Sequence, residues 1–552
     1  MKPLLFFDIE VYPNTYFAVF CCIDLQITVV NWDEGLPEEF LFNYQMVGFN
    51  SNFYDDAIID NWGVEPSVMK GISDSLINNG DIFYKRYSMD VLRQLKNDPT
   101  IGVGCPGLKE IEFNRGKLPT QTPIPFNEPL PEHMLGLAVE YCTADVMELM
   151  EIVTDKKQLF DTLFYLHENY NFNLSKTVAS NVDALFTHTK TVHETDSWRE
   201  RLDMLISEIE LFGDKCPQVV SGDGGVHAAL SAVEYDNVMN FDVASQYPSI
   251  IINLGLLGEK TDIFKRIRDQ RVAMKETDPI VAGALKIVLN TVYGVLNGDK
   301  GFFKSENKSA GLLTCLYGQY SILWLTKLLL ARGAQIIQIN TDGVMFTALP
   351  ERVLNEVQEE WERMFHMQIE LDLIDKVIQK DVNNYIAVFQ DGHVKTKGGD
   401  LGNAKGRRIY RKNTNVVLDK MVYNILLGRG IEQDIEPYDY ARFVRPSSAY
   451  PVLTLDGVEH TEGLVVMPWD ETGLELWKHK PDGAKSRFTN LECVKLFDHA
   501  LEVPWSVRAA HISMALDKVY GRLKKNGEPY AGSTAWKRDT VTKTLYEKII
   551  LA

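Results

Sequence analysis

The sequence predicts an α/β chain of several domains. At 552 residues it exceeds what one hydrophobic core supports, so we expect three to five domains. Residues 4–9 and 238–243 are short apolar runs of strand length, whereas 139–164 repeats apolar side chains at helical spacing. An apolar content of 45% and a charged content of 24% are typical of globular proteins.

The elements follow in order along the chain. Residues 4–9 predict a short buried strand, 17–29 predict further strands, and 139–164 predicts one long helix. A glycine-rich segment, 221–227, predicts a break, after which 238–243 predicts another strand.

The middle of the chain predicts a helical pair and then a hairpin. Residues 262–276 and 280–296 predict two helices separated by Thr277-Asp278-Pro279, because proline ends one helix and can begin the next. Two apolar runs around a Thr-Asp-Gly turn predict a hairpin at 334–349. We then expect a helix at 351–365, a strand at 368–374, and a mixture of helices and loops in the last 140 residues.

Composition indicates the cellular compartment and argues against some classes of protein. The first residues carry acids within their apolar run, unlike a signal peptide, and no stretch of 18 apolar residues appears, so we expect no membrane span. Seven cysteines without a CxxC pair argue against a zinc module or a disulfide framework. We expect a reducing, cytoplasmic location.

Charge alone does not favour nucleic acid. The formal net charge is −19, whereas nucleic-acid-binding domains are usually basic. One local exception is 395–412, with seven Lys or Arg residues and one acid. Two interpretations stay open for this segment: a solvated loop or a DNA contact.

Two aspartates each end an apolar strand. Asp342 lies in the turn of the hairpin, where it is also an ordinary turn residue, and Asp242 follows the run 238–241. If the two strands are neighbours, the carboxylates converge at one edge of the sheet. Two Mg²⁺ ions between such acids can activate a 3′-hydroxyl and stabilise a leaving pyrophosphate.

The helical pair offers cations and polar groups at helical spacing. Arg271 and Lys275 share one face, and Lys286, Asn290 and Tyr293 share another. An ordinary solvated face is the alternative for each helix. A triphosphate would need cations of this kind opposite the metals.

The order of three motifs is specific. FDVASQYPSII (241–251), KIVLNTVYG (286–294) and NTDGV (340–344) resemble the polymerase motifs of family B DNA polymerases. The resemblance implies metal ligation by Asp242, Val243 and Asp342. It also implies a sugar gate at Tyr247, and it implies nucleotide binding by Ser245, Tyr247, Arg271, Lys275, Lys286, Asn290 and Tyr293.

A second acidic set lies in the first third of the chain. Taken singly, each of these acids would be a surface residue. Together, D-x-E at 8–10, N-x-x-x-Y-D at 50–55 and Y-x-x-x-D at 141–145 resemble the motifs of proofreading exonucleases. The resemblance implies two metals held by Asp8, Glu10, Asp55 and Asp145. It implies that Tyr141 orients a water molecule, that Asn50 contacts the primer end and that Lys109 assists.

Further matches imply contacts with DNA. Gly224 and Gly225 stand where the family has a template-contacting loop, and Tyr385, Lys395 and Lys397 match a segment near the primer. The sequence departs from the family pattern at Asn383, where lysine is usual and for which Lys380 could substitute, and at Asn340, where aspartate is usual.

The resemblance covers residues 4 to about 400 and implies a ribonuclease-H-like exonuclease domain joined to a right-hand polymerase. We expect an exonuclease domain at 1–190, a connecting region at 191–229, palm at 230–258 and 297–398, fingers at 259–296, and thumb at 399–552. The implied activity is template-directed DNA synthesis with 3′–5′ proofreading. Its cofactors are two Mg²⁺ or Mn²⁺ ions per site.

The expected partners are primer–template DNA and dNTPs, and we leave open a processivity factor or single-strand-binding protein. We expect a monomer. The compact arrangement resembles a bacteriophage enzyme, which would act in the cytoplasm of a bacterial host. Two alternatives are an exonuclease whose polymerase half only binds DNA, and a non-enzymatic DNA-binding scaffold. Both acidic sets oppose the scaffold, because carboxylates repel DNA.

Overall fold

The computed structural model describes residues 2–78, 84–96, 106–186, 193–222, 224–297, 302–408, 415–460, 463–489, 491, 493–522 and 535–537. The backbone packs into two units. The first comprises Met1–Leu185 and Arg266–Val292, and the second comprises Phe186–Lys265, Tyr293–Arg408 and Asn413–Ala552. We describe each unit by itself.

A five-stranded sheet forms the core of the first unit, in the order β3-β2-β1-β4-β5. β1 is antiparallel to β2 and parallel to β4. Both faces of β1 are buried, which explains its nearly continuous apolar sequence. The strands confirm the predictions at 4–9 and within 17–29. They are β1 (Leu4–Tyr12), β2 (Thr15–Cys22), β3 (Ile27–Asn31), β4 (Gln45–Gly48) and β5 (Met89–Asp90).

Helices surround this sheet, and the long helix α6 packs on β1 and β2. The helices of this part of the chain are α1 (Glu38–Asn43), α2 (Asp55–Asp60), α3 (Pro66–Ile77), α4 (Val91–Leu95), α5 (Leu108–Asn114), α6 (Leu135–Asp155), α7 (Lys157–Tyr170) and α8 (Val178–Phe186).

The prediction of one helix over 139–164 is wrong. The chain forms two helices, α6 and α7, which separate at Lys156, whose φ of −100° and ψ of 26° lie outside the helical region. Five polar residues in a row, 154–158, interrupt the apolar stripe at this point. A turn without apolar side chains gains no stabilisation from packing on the core, so the helix can end there.

An eight-stranded sheet forms the centre of the second unit, in the order β13-β12-β11-β8-β10-β9-β7-β6. Its strands are β6 (Val220–Gly222), β7 (Gly225–Ala229), β8 (Val233–Val243), β9 (Ile336–Ile339), β10 (Gly343–Thr347), β11 (Ile369–Asp381), β12 (Asn384–Phe389) and β13 (Val394–Lys397). β9 and β10 confirm the hairpin predicted at 334–349. The glycine-rich segment 221–227 is predicted as a break, but residues 221–222 and 225–227 belong to the antiparallel pair β6 and β7.

The predicted helical pair and the helix at 351–365 are confirmed. The helices along this stretch are α9 (Asp196–Glu210), α10 (Gln246–Asn253), α11 (Thr261–Met274), α12 (Pro279–Asn297), α13 (Phe302–Ala331) and α14 (Glu351–Phe365). Gln270 of α11 donates a hydrogen bond to the Tyr165 hydroxyl of α7 at 3.3 Å, within the first unit.

The C-terminal region contains much more strand than predicted. Two small antiparallel sheets form there, in the orders β14-β17-β20 and β16-β15-β18-β19. The prediction of helices and loops failed because these strands are only three to six residues long, too short for a clear period in the sequence. The elements are α15 (Val416–Leu426), α16 (Pro437–Tyr440), β14 (Arg442–Val444), β15 (Val452–Leu455), β16 (Val458–His460), β17 (Leu464–Trp469), β18 (Leu476–His479), β19 (Lys485–Arg487), β20 (Cys493–Leu496) and α17 (Trp505–Tyr520).

One segment, Pro279–Leu296 of α12, is long and apolar enough to cross a membrane by length and composition. The segment contains Lys286, Asn290 and Thr291 and is therefore not an uninterrupted run of 18 apolar residues, so the expectation of no membrane span stays a prediction. Its share of buried residues is 44%, and a core helix of a water-soluble protein passes the same test.

Candidate active sites

Four predicted acids of the first unit meet beside its sheet. Asp8 and Glu10 lie two residues apart on β1 and therefore share a face, Asp55 begins α2, and Asp145 lies on α6. Glu10, Asp55 and Asp145 are each less than 10% exposed. The charges of Asp8, Asp55 and Asp145 all act on Glu10. The structure therefore brings these four acids together, and we call them the β1 acid cluster.

Burial and mutual repulsion raise the pKa values of the β1 acid cluster. The pKa of Asp8 rises from 3.8 to about 7, chiefly through burial and then through the charge of Asp145. Burial, followed by the charge of Asp8, also holds the pKa values of Glu10 and Asp55 well above their usual range. Carboxyl groups this close resist simultaneous ionisation unless a cation joins them.

Lys109 supplies a positive charge to the cluster. Its ammonium group on α5 forms an ion pair with Asp145 and lies 4.3 Å from the centre of the Tyr141 ring. The Tyr141 hydroxyl also hydrogen-bonds the Asp145 carboxylate. Both residues that the resemblance linked to catalysis thus contact the same acid. The contact of Lys109 with Asp145 is direct.

The backbone of Asn50 is held by Asp90, a residue that is not predicted as part of the site from the sequence. Asn50 has φ of +61°, in the left-handed region that asparagine tolerates. Its N–H donates to the carboxylate of Asp90 at 2.9 Å. Asp90 is 3% exposed and caps α4 by accepting a hydrogen bond from the Arg93 N–H. An acid at the end of a strand and directly before a helix was the available signal.

The β1 acid cluster fits a divalent cation. One lysine contacts this group of four carboxyl groups. If all four ionised, most of their negative charge would remain uncompensated at a nearly buried site. Carboxylate oxygens are ligands that Mg²⁺ and Mn²⁺ accept. Among the residues that the structure describes, only Asp8, Glu10 and Cys142 form a group of three with ligand atoms all within 4.8 Å of one another.

The second pair of predicted acids meets on the central sheet of the second unit. β8 and β10 are neighbours, and their register places Asp242 opposite Gly343, the residue after Asp342. The Val243 N–H donates to the Asp342 carbonyl at 2.7 Å. This pairing meets the condition under which the sequence predicts that the two carboxylates converge. We call Asp242 and Asp342 the palm acid pair, after the region in which the sequence predicts them.

Asp242 is strongly perturbed by its surroundings. Its pKa rises from 3.8 to about 7, first through burial and then through the charge of Asp342, while Lys395 acts in the opposite direction. Asp372 and Glu370 of β11 add negative charge, and Glu370 lies directly opposite Asp242 in the sheet. Neither Asp372 nor Glu370 is predicted as a site residue from the sequence. The signal was their alternation in IELDLID, which places both on one face of a strand.

Glycine is required beside the palm acid pair. A Cβ on Gly343 would lie 2.9 Å from the Phe241 carbonyl oxygen and 3.2 Å from Oδ1 of Asp242. Gly225 has φ of +149°, and its Cβ would lie 3.0 Å from Oγ1 of Thr341. The predicted template-contacting glycine therefore lies against the turn that carries Asp342, whereas Gly224 precedes it with open space around its Cα.

Three predicted DNA-contact residues flank the same acids. Tyr385 of β12 is 2% exposed, hydrogen-bonds Lys395 and lies near enough to both palm acids for their charges to raise its pKa, after burial. Lys395 and Lys397 lie two residues apart on β13 and are exposed on one face, with Lys397 opposite Tyr385. The structure thus gathers a cationic edge beside the palm acid pair.

The predicted sugar gate stacks on a second tyrosine. Ser245 has left-handed backbone dihedrals before α10, which begins one residue later. The rings of Tyr247 and Tyr293 are 3.9 Å apart and inclined by 22°. The Tyr293 hydroxyl lies 2.8 Å from Sγ of Cys315 on α13, and a Cβ on Gly318 would meet the Tyr247 ring at 3.4 Å. Cys315 and Gly318 had no signal in the motifs.

The other predicted nucleotide contacts lie on α11 and α12 and belong to the first unit. Lys286 and Asn290 are exposed on one face of α12, and Arg271 and Lys275 lie in and just after the last turn of α11. Leu285, Val288 and Leu289 are buried, so the spacing of Lys286 and Asn290 does mark a solvent-facing stripe.

The basic segment 395–412 divides into parts with different environments. The Arg407 guanidinium packs on Tyr438, with its carbon 4.9 Å from the ring centre, and donates to the Tyr438 carbonyl at 2.8 Å. Lys380, which could substitute for a lysine at Asn383, is paired with Asp400 at 3.1 Å. Residues 409–412 lie outside the described residues.

Comparison with solved structures finds chains that resemble this one. The chain is similar to the structure of the family B DNA polymerase from the hyperthermophilic archaeon Pyrobaculum calidifontis, with 13% sequence identity and a TM-score of 0.44. The match covers 94% of this chain and 78% of that chain. A likeness of this degree does not assign a function. No protein-family model and no curated protein matches the sequence.

Proposed function

We propose that this chain is a DNA-dependent DNA polymerase of the family B type with a 3′–5′ proofreading exonuclease. The observation that carries the proposal is the presence of two separate carboxylate sites in one chain. One is the buried β1 acid cluster with Lys109 and Tyr141, and the other is the palm acid pair with its cationic edge. Acids paired in this way are typical of phosphoryl-transfer sites that use two metal ions.

The residues present fit two Mg²⁺ or Mn²⁺ ions at each site. Asp8, Glu10, Asp55 and Asp145 would hold the ions of the exonuclease. Asp242, Asp342 and Val243, whose only oxygen is its backbone carbonyl, would hold those of the polymerase. When bound, such ions activate the attacking oxygen and stabilise the leaving group. The raised pKa of Asp242, near 7, means that this carboxyl group must lose its proton before it can bind a metal.

The chain's own residues position the substrate for extension. In this proposal Tyr247 lies under the deoxyribose and excludes a 2′-hydroxyl, while Tyr293 and Asn290 bound the nascent base pair. Lys286, Arg271 and Lys275 bind the triphosphate of the dNTP, and Ser245 contacts it through the turn before α10. Lys395, Lys397 and Tyr385 hold the primer strand next to the palm acid pair, and Gly224 and Gly225 lie along the template.

The exonuclease uses a different set of groups. Tyr141 orients the attacking water through its hydroxyl, which already bonds Asp145. Lys109 stabilises charge that develops on the phosphate. Asn50, fixed through its N–H by Asp90, contacts the unpaired primer end. The biological setting that we propose is replication of a phage genome in the cytoplasm of a bacterial host.

Primer extension tests this function and separates it from the alternatives. A labelled primer–template is incubated with Mg²⁺, with and without dNTPs. A polymerase with proofreading lengthens the primer when dNTPs are present and shortens it when they are absent. Shortening under both conditions would instead indicate an exonuclease whose second unit only binds DNA. An unchanged primer under both conditions would indicate a DNA-binding scaffold.

A further inference from the structure

A cavity of about 430 Å³ lies within the second unit. Its walls come from the turn between β12 and β13, the loop at 404–406, α15 and the segment 429–434. None of the residues assigned above to either carboxylate site lines it. The volume falls in the range of pockets that hold small molecules, roughly 300–1,000 Å³. We call this space the α15 cavity.

The lining of the α15 cavity carries positive charge although the chain as a whole is acidic. Three cations line it, Lys405, Lys420 and Arg429, against one acid, Asp434. Lys420 is compensated by Asp439, with which it pairs at 2.6 Å. Among the residues that the structure describes, no ion pair is found for Lys405 or Arg429. The cations therefore outnumber the nearby acids, and the cavity favours an anion.

The segment that carries Arg429 is folded back onto α15. Asn424, which is 3% exposed, donates its side-chain N–H groups to the carbonyls of Ile431 at 3.2 Å and Gln433 at 2.8 Å. The Arg429 N–H donates to the Asn424 carbonyl at 2.8 Å. The guanidinium carbon of Arg429 lies 5.3 Å from the centre of the Tyr423 ring. Because this geometry is already formed, a ligand that binds Arg429 has little ordering to impose.

The remaining lining residues indicate the class of anion. Tyr423 is 6% exposed, and no hydrogen bond is found for its hydroxyl within the described part of the chain. Val394 and Ala404 add apolar wall beside the cations. Guanidinium and ammonium groups are the usual donors to phosphate, whereas an apolar wall suits the base or the sugar of a nucleotide.

A continuous nucleic-acid strand fits this place less well than a single nucleotide does. Glu432, Asp434 and Glu436 follow one another along the segment beside the cavity, and the last two are exposed. A strand that passed over this edge would bring its neighbouring phosphates against these carboxylates, and like charges repel. A ligand with one phosphate-bearing end inside the cavity avoids that repulsion.

We propose that the α15 cavity binds one nucleoside phosphate at a site separate from both carboxylate sites. Lys405 and Arg429 contact its phosphate, and the Tyr423 hydroxyl donates a further hydrogen bond. Val394 and Ala404 pack against its nucleoside part. The proposal goes beyond the proposed function, because it adds a nucleotide site that does not take part in either reaction.

Calorimetric titration of the full-length protein with dAMP in metal-free buffer tests the site. We expect the wild-type protein to show a binding component that weakens by at least about tenfold in Lys405→Ala/Arg429→Ala, the scale of losing a charge-assisted hydrogen bond. Lys480→Ala/Arg445→Ala removes the same charge at exposed positions outside the cavity and should bind dAMP like the wild-type protein. Identical titrations of the wild-type protein and the cavity variant would overturn the proposal.

Three further ligands define what the cavity recognises. Deoxyadenosine lacks the phosphate and should give no signal from this component. Inorganic phosphate lacks the nucleoside and should bind at least about tenfold more weakly than dAMP. Equal binding of phosphate and dAMP would overturn the nucleoside part of the proposal. Displacement of dAMP from this component by a short single-stranded oligonucleotide would instead indicate a strand-binding surface and would also overturn it. The readout is binding alone, so a protein without polymerase or exonuclease activity would refute the proposed function and leave this test valid.

Discussion

Tyr247 and Tyr293 stack nearly parallel, with their ring centres 3.9 Å apart. Tyr247 lies in the first turn of α10 and Tyr293 lies on α12, so two tyrosines 46 positions apart in the sequence meet in one aromatic pair. Each of the two rings therefore covers one face of the other.

Replacing Tyr247 should weaken discrimination between sugars. Tyr247→Ala removes the ring that would clash with a 2′-hydroxyl, so incorporation of rNTPs should rise relative to dNTPs by about tenfold or more, the scale of a steric contact in a pocket. The measurement is the ratio of kcat/KM for a dNTP and its matched rNTP. Tyr293→Phe keeps the stacked ring and serves as the control. An unchanged ratio in Tyr247→Ala would remove this tyrosine from sugar selection.

Gly343 should be intolerant of any side chain. In Gly343→Ala the new Cβ would lie 2.9 Å from a backbone oxygen and 3.2 Å from Oδ1 of Asp242, so the palm acid pair must shift. A displacement of this kind should reduce extension by about a hundredfold, while degradation by the first unit continues. Both activities are measured on one labelled primer–template. Gly71→Ala, on α3 with open space around it, should leave both unchanged.

Sequence patterns predicted the parts of the sites that depend on local spacing. Asp8 and Glu10 share a face because they lie two apart on a strand, and the β9–β10 turn places Asp342 opposite the end of β8. Asp90 and Glu370 were not predicted, because their importance arises from contacts between segments distant in sequence. The break at Lys156 and the short C-terminal strands were missed for a different reason. These features span only a few residues, which is too few to show a clear repeat of apolar side chains in the sequence.

The β1 acid cluster should make stability depend on pH when no metal is bound. Because the folded pKa of Asp8 is about 7, against 3.8 ordinarily, the folded chain binds more protons than the unfolded chain between these values. Stability contributed by the protonated form is therefore present at low pH and is lost as pH rises from about 4 to about 7. Glu10, with its pKa raised well above 4.5, acts in the same direction.

Thermal unfolding of metal-free protein measures this effect. We expect the wild-type Tm to fall by several degrees relative to Asp8→Asn/Glu10→Gln as pH rises through that window, since each unit of pKa shift corresponds to about 1.4 kcal/mol. Adding Mn²⁺ at a pH above 7 should restore the wild-type Tm and leave that of the double variant little changed. Parallel pH curves for the two proteins would show that these carboxyl groups ionise freely.

Lys109 should control the pH dependence of the exonuclease. Its ammonium group pairs with Asp145 and lowers the pKa values of Asp8 and Glu10, so Lys109→Ala should raise those values further. The exonuclease rate would then reach its plateau at higher pH and would fall by about tenfold or more at neutral pH. Lys109→Arg should recover part of the activity. A lower rate with an unchanged pH profile would indicate a role unrelated to these carboxyl groups.

The central claim is that one chain contains two independent carboxylate sites with opposite actions on a primer. The most direct measurement follows one labelled primer–template, with and without dNTPs, for three proteins: Asp342→Asn, Asp8→Ala/Glu10→Ala, and the control Asp375→Asn at an exposed acid of β11. We predict that Asp342→Asn loses extension by at least about a thousandfold but still shortens the primer, since several kcal/mol of charge stabilisation disappear at one site only. The double variant should extend normally and shorten nothing, and Asp375→Asn should do both. Loss of both activities in either active-site variant, with its fold intact, would contradict the account.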